Sequence, residues 1–165
     1  MQFATRNATI VDAESAASLV KLSFDRLSAE YWAPEARHVF LTEASPEELR
    51  SAIATCAYSA VVFDDSRLVG ILLMKSPTVL SLLFVHPSCL RRGIGSLLWE
   101  QARSHLSSHF PEVRTVELNA TPNSVTFYRK IGFVPLSTEF EFKGCRATRM
   151  ACWLPVRTLG AEVAP

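Results

Sequence analysis

The chain has 165 residues, of which 48% are hydrophobic, and a formal charge of +1 from 17 basic and 16 acidic side chains. Such a length and apolar content suit one domain with a real core, and the balanced charge excludes the broad basic field that marks a nucleic-acid or anionic-membrane partner. The opening "MQFATRNATIVDAES" lacks a basic segment leading into an apolar one, and no later run is long and uncharged enough to span a bilayer, so a cytoplasmic protein is expected.

The four cysteines, Cys56, Cys89, Cys145 and Cys152, are scattered without the short paired spacing of a zinc site or a redox dithiol. Reduced packing thiols and no metal are expected. A short strand over residues 3–6 leads into a helix in "IVDAESAASLVKLSFDRL", where Ala16, Leu19, Val20, Phe24 and Leu27 fall at helical spacing and Asp12 can cap. The segment "SAEYWAPEARHVFLTEA" has the composition of an irregular, mobile stretch. In "SPEELRSAIAT", Ser45 as N-cap, Pro46 at the first helical position and Glu48 form a capping-box pattern.

"SAVVF", the turn "DDS" and "RLVGILLMK" read as a hairpin, with Gly70 marking a bulge or a close approach. A break at "SPT" introduces the buried strand "VLSLLFV". The helix over 93–108 carries Ile94, Leu97, Leu98, Ala102 and Leu106 on one face, and "TVELNA" is another strand. In "TPNSVTFYRKIGF", Thr121 caps a short helix with Pro122 at its first position and Gly132 as its stop. "FVPLSTEFEF", the turn "KG" and "CRATRMACWL" form a closing hairpin, whose edge could pair with a second chain, so monomer and homodimer both stand. One domain over residues 1–154 is expected, with 155–165 as a loose tail.

The glycines of "VHPSCLRRGIGSLL" sit where a strand hands over to a helix. A helix N-terminus carries unpaired N–H groups and a partial positive charge, so it attracts phosphate. Gly93 and Gly95 take away Cβ atoms that would block the approach, and Arg91 and Arg92 add charge suited to a diphosphate. A P-loop would need lysine after its second glycine, where Ser96 and Leu97 follow Gly95. A dinucleotide fingerprint would need a third glycine at Leu98.

Taken with "LNATPNSVTFYRKIGF", the stretch resembles the GNAT superfamily of CoA-dependent N-acetyltransferases, whose signature runs Val-x-Pro and then Gln/Arg-x-x-Gly-x-Gly/Ala. The resemblance covers nearly the whole chain, with residues 28–44 least matched. It implies an α/β fold of the α+β kind: a central, mixed, mostly antiparallel and strongly twisted sheet of about seven strands flanked by about four helices. It further implies acetyl-CoA as acyl donor, an amine of a small molecule or protein as acceptor, and two central strands that part as a V around pantetheine. Leu83, Phe84 and Val85 would form the cofactor strand, with Leu83 and Val85 as main-chain partners. Arg91, Arg92, Gly93, Ile94, Gly95 and Ser96 would hold the pyrophosphate, and Arg129 or Lys130 the ribose phosphate.

By the same resemblance Asn119 and Tyr128 lie near the thioester. Asn119 positions cofactor or substrate, and Tyr128 protonates the departing thiolate, for which a phenol of ordinary pKa, about 10, is available at neutral pH. Two residues depart from the family pattern: Leu90 stands where Gln or Arg is usual, and Val79 where many members have the Glu that serves as base. Glu30, Glu35, His38, Glu43, Glu139 and His86, the last past the strand end and expected to face solvent, are the alternatives, beside loss of the amine proton to water. Phe24, Tyr31 and Trp32 could line an acceptor pocket or be packing. No cysteine sits where an acyl-enzyme would need it, which favours direct attack in a ternary complex. The competing reading is a non-catalytic acyl-CoA sensor.

Overall fold

The structure is a computed structural model that describes residues 3–155. The expected tail therefore lies outside the described residues, except for Pro155. Three consecutive antiparallel strands build the centre: β2 (Tyr58–Asp64), β3 (Arg67–Ser76) and β4 (Val79–Val85). β3 is buried without interruption from Leu68 to Met74, because both of its faces are covered and no alternation is needed.

One face lies under α1 (Ala13–Leu27) and α3 (Pro46–Thr55), where Leu19, Val20, Leu49 and Ile53 pack with Val61, Ile71 and Leu73. The other lies under α4 (Ile94–His109) and α5 (Val125–Lys130), where Ile94, Leu98, Trp99 and Tyr128 pack with Leu72, Met74 and Met150. Gly70 is the close approach that the sequence indicated: a Cβ there would stand 2.7 Å from Ile94 Cγ2 and 3.1 Å from Leu98 Cδ1. The register also shifts beside it, between Val62 and Phe63.

With β1 (Ala4–Asn7), β5 (Thr115–Ala120), β6 (Val134–Pro135), β7 (Phe140–Phe142) and β8 (Cys145–Trp153), the strand order is β1-β2-β3-β4-β5-β8-β6, and β7 pairs with β8. The fold is the expected mixed, mostly antiparallel α/β sheet between helices, with eight strands rather than about seven. The extra strand arises because residues 134–142 do not form one strand. Pro135 has no N–H for the ladder, and Arg149 N–H donates to Ser137 Oγ at 3.2 Å. The two-residue turn Lys143–Gly144 has positive φ at both positions (49° and 74°), the geometry that suits a tight hairpin.

The segment 28–44 is not irregular. A 3-10 turn at Ala29–Tyr31 is followed by α2 (Pro34–Glu43), and α2 is the fifth helix where about four were expected. No residue of α2 is fully buried, so it carries no apolar stripe for periodicity to detect. What holds it is Pro34 at its first position, the Ala33 N–H donating to Gly144 O at 2.8 Å, and the Phe40 ring stacked 4.6 Å from Phe24.

Cys89, Cys145 and Cys152 are buried free thiols and Cys56 is half-buried. Burial pushes the Cys145 thiol up to about 11. No helix among the described residues is long and apolar enough to cross a membrane.

Candidate functional site

β4 and β5 lie side by side and parallel, but their ladder consists of a single pairing, Val79 with Glu117, supported by the Glu117 N–H donating to Thr78 O at 2.8 Å. Beyond it β5 turns to β8 for its partners through to Ala120, and β4 keeps only β3. The strands therefore separate toward Val85 and Ala120. Register decides what β4 shows to the gap. His86 N–H donates to Val69 O at 2.8 Å, so the neighbouring pair, Val85 with Gly70, is the non-bonded kind, and the alternation places Leu83 with Val85. The main-chain groups of Leu83 and Val85 point away from β3, toward the gap.

Phe84 stands apart from these two. Its main chain belongs to the β3 ladder opposite Ile71, and its ring packs on the α1 side of the sheet, 6.0 Å from Phe40. The side chains of Leu83 and Val85 pack on the α4 side, where Tyr128 lies.

After β4 the chain makes a 3-10 turn at Pro87–Cys89. His86 turns back on this turn, its Nδ1 accepting from Ser88 N–H at 3.2 Å and lying 2.8 Å from Ser88 Oγ. It is half-buried rather than solvent-facing, and burial together with the charge of Arg67 lowers its pKa. Leu90, 41% exposed, offers no polar contact in the place where the family usually has one.

Gly93 caps α4 with φ +83°, a left-handed conformation, and a Cβ there would meet nothing within 4 Å. Its requirement is conformational and its surroundings are open. The first helical bond runs from Leu97 N–H to Gly93 O at 2.9 Å, which leaves the amides of Ile94, Gly95 and Ser96 without intrahelical partners. Gly95 has a different reason from the one expected of it: a Cβ there would stand 2.7 Å from Phe127 Cζ, so the residue is needed to seat α4 against α5. Ile94 likewise turns its side chain into the core. Arg91 is exposed with φ +59°, whereas Arg92 is engaged with Asp64 at 3.4 Å and the Phe3 ring at 4.6 Å. What this turn leaves open is thus main chain, with the exposed Arg91 beside it.

Tyr128 is buried between Phe127 and Phe133, and desolvation holds its phenol far above the ordinary range. Among the described residues its hydroxyl makes no hydrogen bond. Asn119 is not brought to Tyr128. Its neighbours Leu118 and Ala120 face the Tyr128 core, so by strand alternation Asn119 projects from the opposite face, exposed. On that face the register sets Glu117 beside Val79, and Arg149 holds Glu117 through Nη2 at 2.6 Å. This carboxylate escaped the sequence reading, because a charge inside a short strand has no local signal of its neighbour.

The aromatic residues Phe24 and Trp32 meet Phe40 and, through it, Phe84: Trp32 lies 5.4 Å from Phe24 and 5.0 Å from Phe40. Glu139 pairs with Arg146 at 2.7 Å, and the Arg146 guanidinium covers the Tyr31 ring at 5.7 Å, with Glu30 beside that ring. The structure therefore gathers Glu30, Tyr31 and Glu139, which the sequence left separate. Glu35 and His38 lie exposed on α2, and Glu43 ends it. Arg129 and Lys130 are exposed at the end of α5. No group of metal-ligating side chains occurs among the described residues.

Known structures share this architecture. A GCN5-related N-acetyltransferase from Rhodopseudomonas palustris is 19% identical with TM-score 0.79, covering 93% of this chain and 97% of its own. The PaiA N-acetyltransferase of Thermoplasma acidophilum, solved with coenzyme A, is 21% identical with TM-score 0.76, covering 93% and 99%. The ribosomal-protein-S18-alanine N-acetyltransferase of Escherichia coli is 14% identical with TM-score 0.65, covering 99% and 100%. No curated protein sequence matches the chain. The family model described as an acetyltransferase (GNAT) domain matches residues 27–154, and the chain belongs to that family.

Proposed function

We propose that this protein moves an acetyl group from acetyl-CoA to a primary amine, by direct attack within a ternary complex. One observation carries the reading: the gap beside β4 receives the main-chain groups of Leu83 and the N–H of Val85 and opens at the start of α4. Pantetheine needs successive main-chain partners, and a diphosphate needs unpaired amides. The strand offers the first, and the turn ending at Ser96 offers the second. The coenzyme A bound to the Thermoplasma acidophilum protein supports the same assignment.

In the reaction the amine nitrogen bonds to the thioester carbon, and the C–S bond breaks as the carbonyl re-forms. The Val85 N–H is the donor for the oxygen that gains charge in between, a service that needs no reorganisation because the strand fixes it. Tyr128 donates its hydroxyl to the departing sulfur, and its burial disfavours a lasting phenolate. The proton lost by nitrogen passes to water. The acceptor enters from the α1–α2 face, where Phe84, Trp32 and the rim of Glu30 and Glu139 lie.

Calorimetric titration with acetyl-CoA, CoA and ATP, followed by thiol release over a panel of amines and peptides, tests the reading. Binding of acetyl-CoA with release on one acceptor class is expected. Val79 in place of a strand carboxylate favours a second reading, a non-catalytic acyl-CoA sensor, and binding without release on any acceptor would select it. Absence of CoA binding would defeat both.

A further inference from the structure

The gap between β4 and β5 is bridged at its open end by one turn of one helix. Ser23, 0% exposed in α1, donates its hydroxyl to the carbonyl of Val85, the last residue of β4, at 3.0 Å. Four residues on, Leu27 ends α1, and its carbonyl accepts from Asn123 Nδ2 at 2.8 Å. Asn123 belongs to the 3-10 turn that follows β5, and its Oδ1 is held by the Thr121 hydroxyl at 2.7 Å. Residues four apart lie on the same side of a helix. The last turn of α1 therefore holds the end of one arm with a side chain and the end of the other with a terminal carbonyl, across 62 and 96 residues of sequence.

We propose that this turn of α1 is a spacer that sets the opening between β4 and β5, with Ser23 and Asn123 as positioning residues at its two ends. The two bonds share one strut, so releasing either end loosens the distance between the arms, more at Ser23, which holds Val85 directly, and releasing both adds nothing to the loss at Ser23. The spacer stands on these contacts alone, and only its effect on cofactor affinity rests on the acetyl-CoA reading. Ser23 lies on the apolar stripe of Ala16, Val20 and Leu27, and a hydroxyl in that stripe must find a partner. Val85 supplies it.

The test is amide hydrogen exchange of the full, ligand-free chain, with coenzyme A titrations on the same variants. The His86 amide reports on the end of β4 through its bond to Val69 O. Ser23→Ala should speed its exchange about tenfold. Asn123→Ala, at an exposed position on the other arm, should also speed it, by about threefold. Ser18→Ala, on the exposed side of the same helix, should leave it unchanged. Coenzyme A affinity should fall about tenfold in Ser23→Ala and about threefold in Asn123→Ala, with the double variant no weaker than Ser23→Ala alone. A wild-type rate at His86 in Asn123→Ala would overturn the spacer, as would a double-variant loss equal to the product of the single losses. If the wild type does not bind coenzyme A, the acetyl-CoA reading fails and the exchange rates still decide the spacer.

Discussion

The two sides of the gap are built by different means. On the α4 side the surface that the proposed function gives to the donor is main chain: the Leu83 groups, the Val85 N–H, the amides that open α4, and one left-handed glycine. On the α1–α2 side it is side chains from distant segments, held by single long-range contacts such as the isolated pairing of Trp32 with Cys145 and the Ala33–Gly144 hydrogen bond. Main chain recognises what every acyl-CoA shares and tolerates sequence change, whereas side chains discriminate. Under the proposed function, this contrast would give the donor to one side and the choice of acceptor to the other.

The largest effect should come from removing one main-chain donor. The Val85 N–H faces the gap and takes no part in the β3 ladder, so Val85→Pro should preserve the fold while turnover falls about 100- to 1,000-fold. Phe84→Pro, one residue away, removes a ladder donor and should disrupt the sheet. A folded, fully active Val85→Pro protein would show that the oxyanion is met elsewhere.

Tyr128→Phe comes next, with turnover lower by about 10- to 100-fold and acetyl-CoA KM within about twofold of the wild type. Burial raises the Tyr128 phenol, so the group stays protonated through the alkaline end of any assay. An alkaline limb in the pH profile should therefore survive the substitution at the same pH. Its disappearance would mean that the bound complex lowers the phenol into the working range, and that Tyr128 transfers its proton outright.

The same contrast explains what was legible in the sequence. The strand, glycine turn and helix of the α4 side are contiguous and announced by local chemistry, so their order was legible, whereas Leu83 and Val85 were singled out only by the family resemblance. Gly95 was noticed for the wrong reason, since its partner Phe127 lies on another helix. Ser23 was not singled out in the sequence, because its acceptor is 62 residues away. α2 was illegible because none of its residues is fully buried. Glu117 beside Val79 follows from register, which no local pattern records, whereas the face of Asn119 was legible in the alternation of "TVELNA" and was overridden by the family resemblance.

Two glycines separate strain from recognition. Gly93 (φ +83°) and Gly132 (φ +102°) both hold conformations that an L-residue resists, and neither Cβ would meet an atom closer than 3.7 Å. Alanine at either should cost about 1–2 kcal/mol of stability. Only Gly93→Ala should also weaken coenzyme A, by about tenfold, because it displaces the amides that open α4. Equal affinities in the two variants would remove the turn from the binding site.

The smallest effect probes the acceptor side. Arg146 and Glu139 form an exposed pair at 2.7 Å on the hairpin that faces the Tyr31 ring, and an exposed pair contributes little to stability. Arg146→Ala should leave the melting temperature and the acetyl-CoA KM unchanged while the acceptor KM shifts by about threefold. The sign of that shift carries the information. Losing Arg146 leaves Glu139 and Glu30 unneutralised at the rim, so a cationic acceptor should bind more tightly and an anionic one more weakly. An acceptor with no charge beyond its reacting amine should respond least, and its selectivity would then have to come from the rings of Trp32, Phe40 and Phe84. A change confined to the acetyl-CoA KM would reverse the assignment of the two sides.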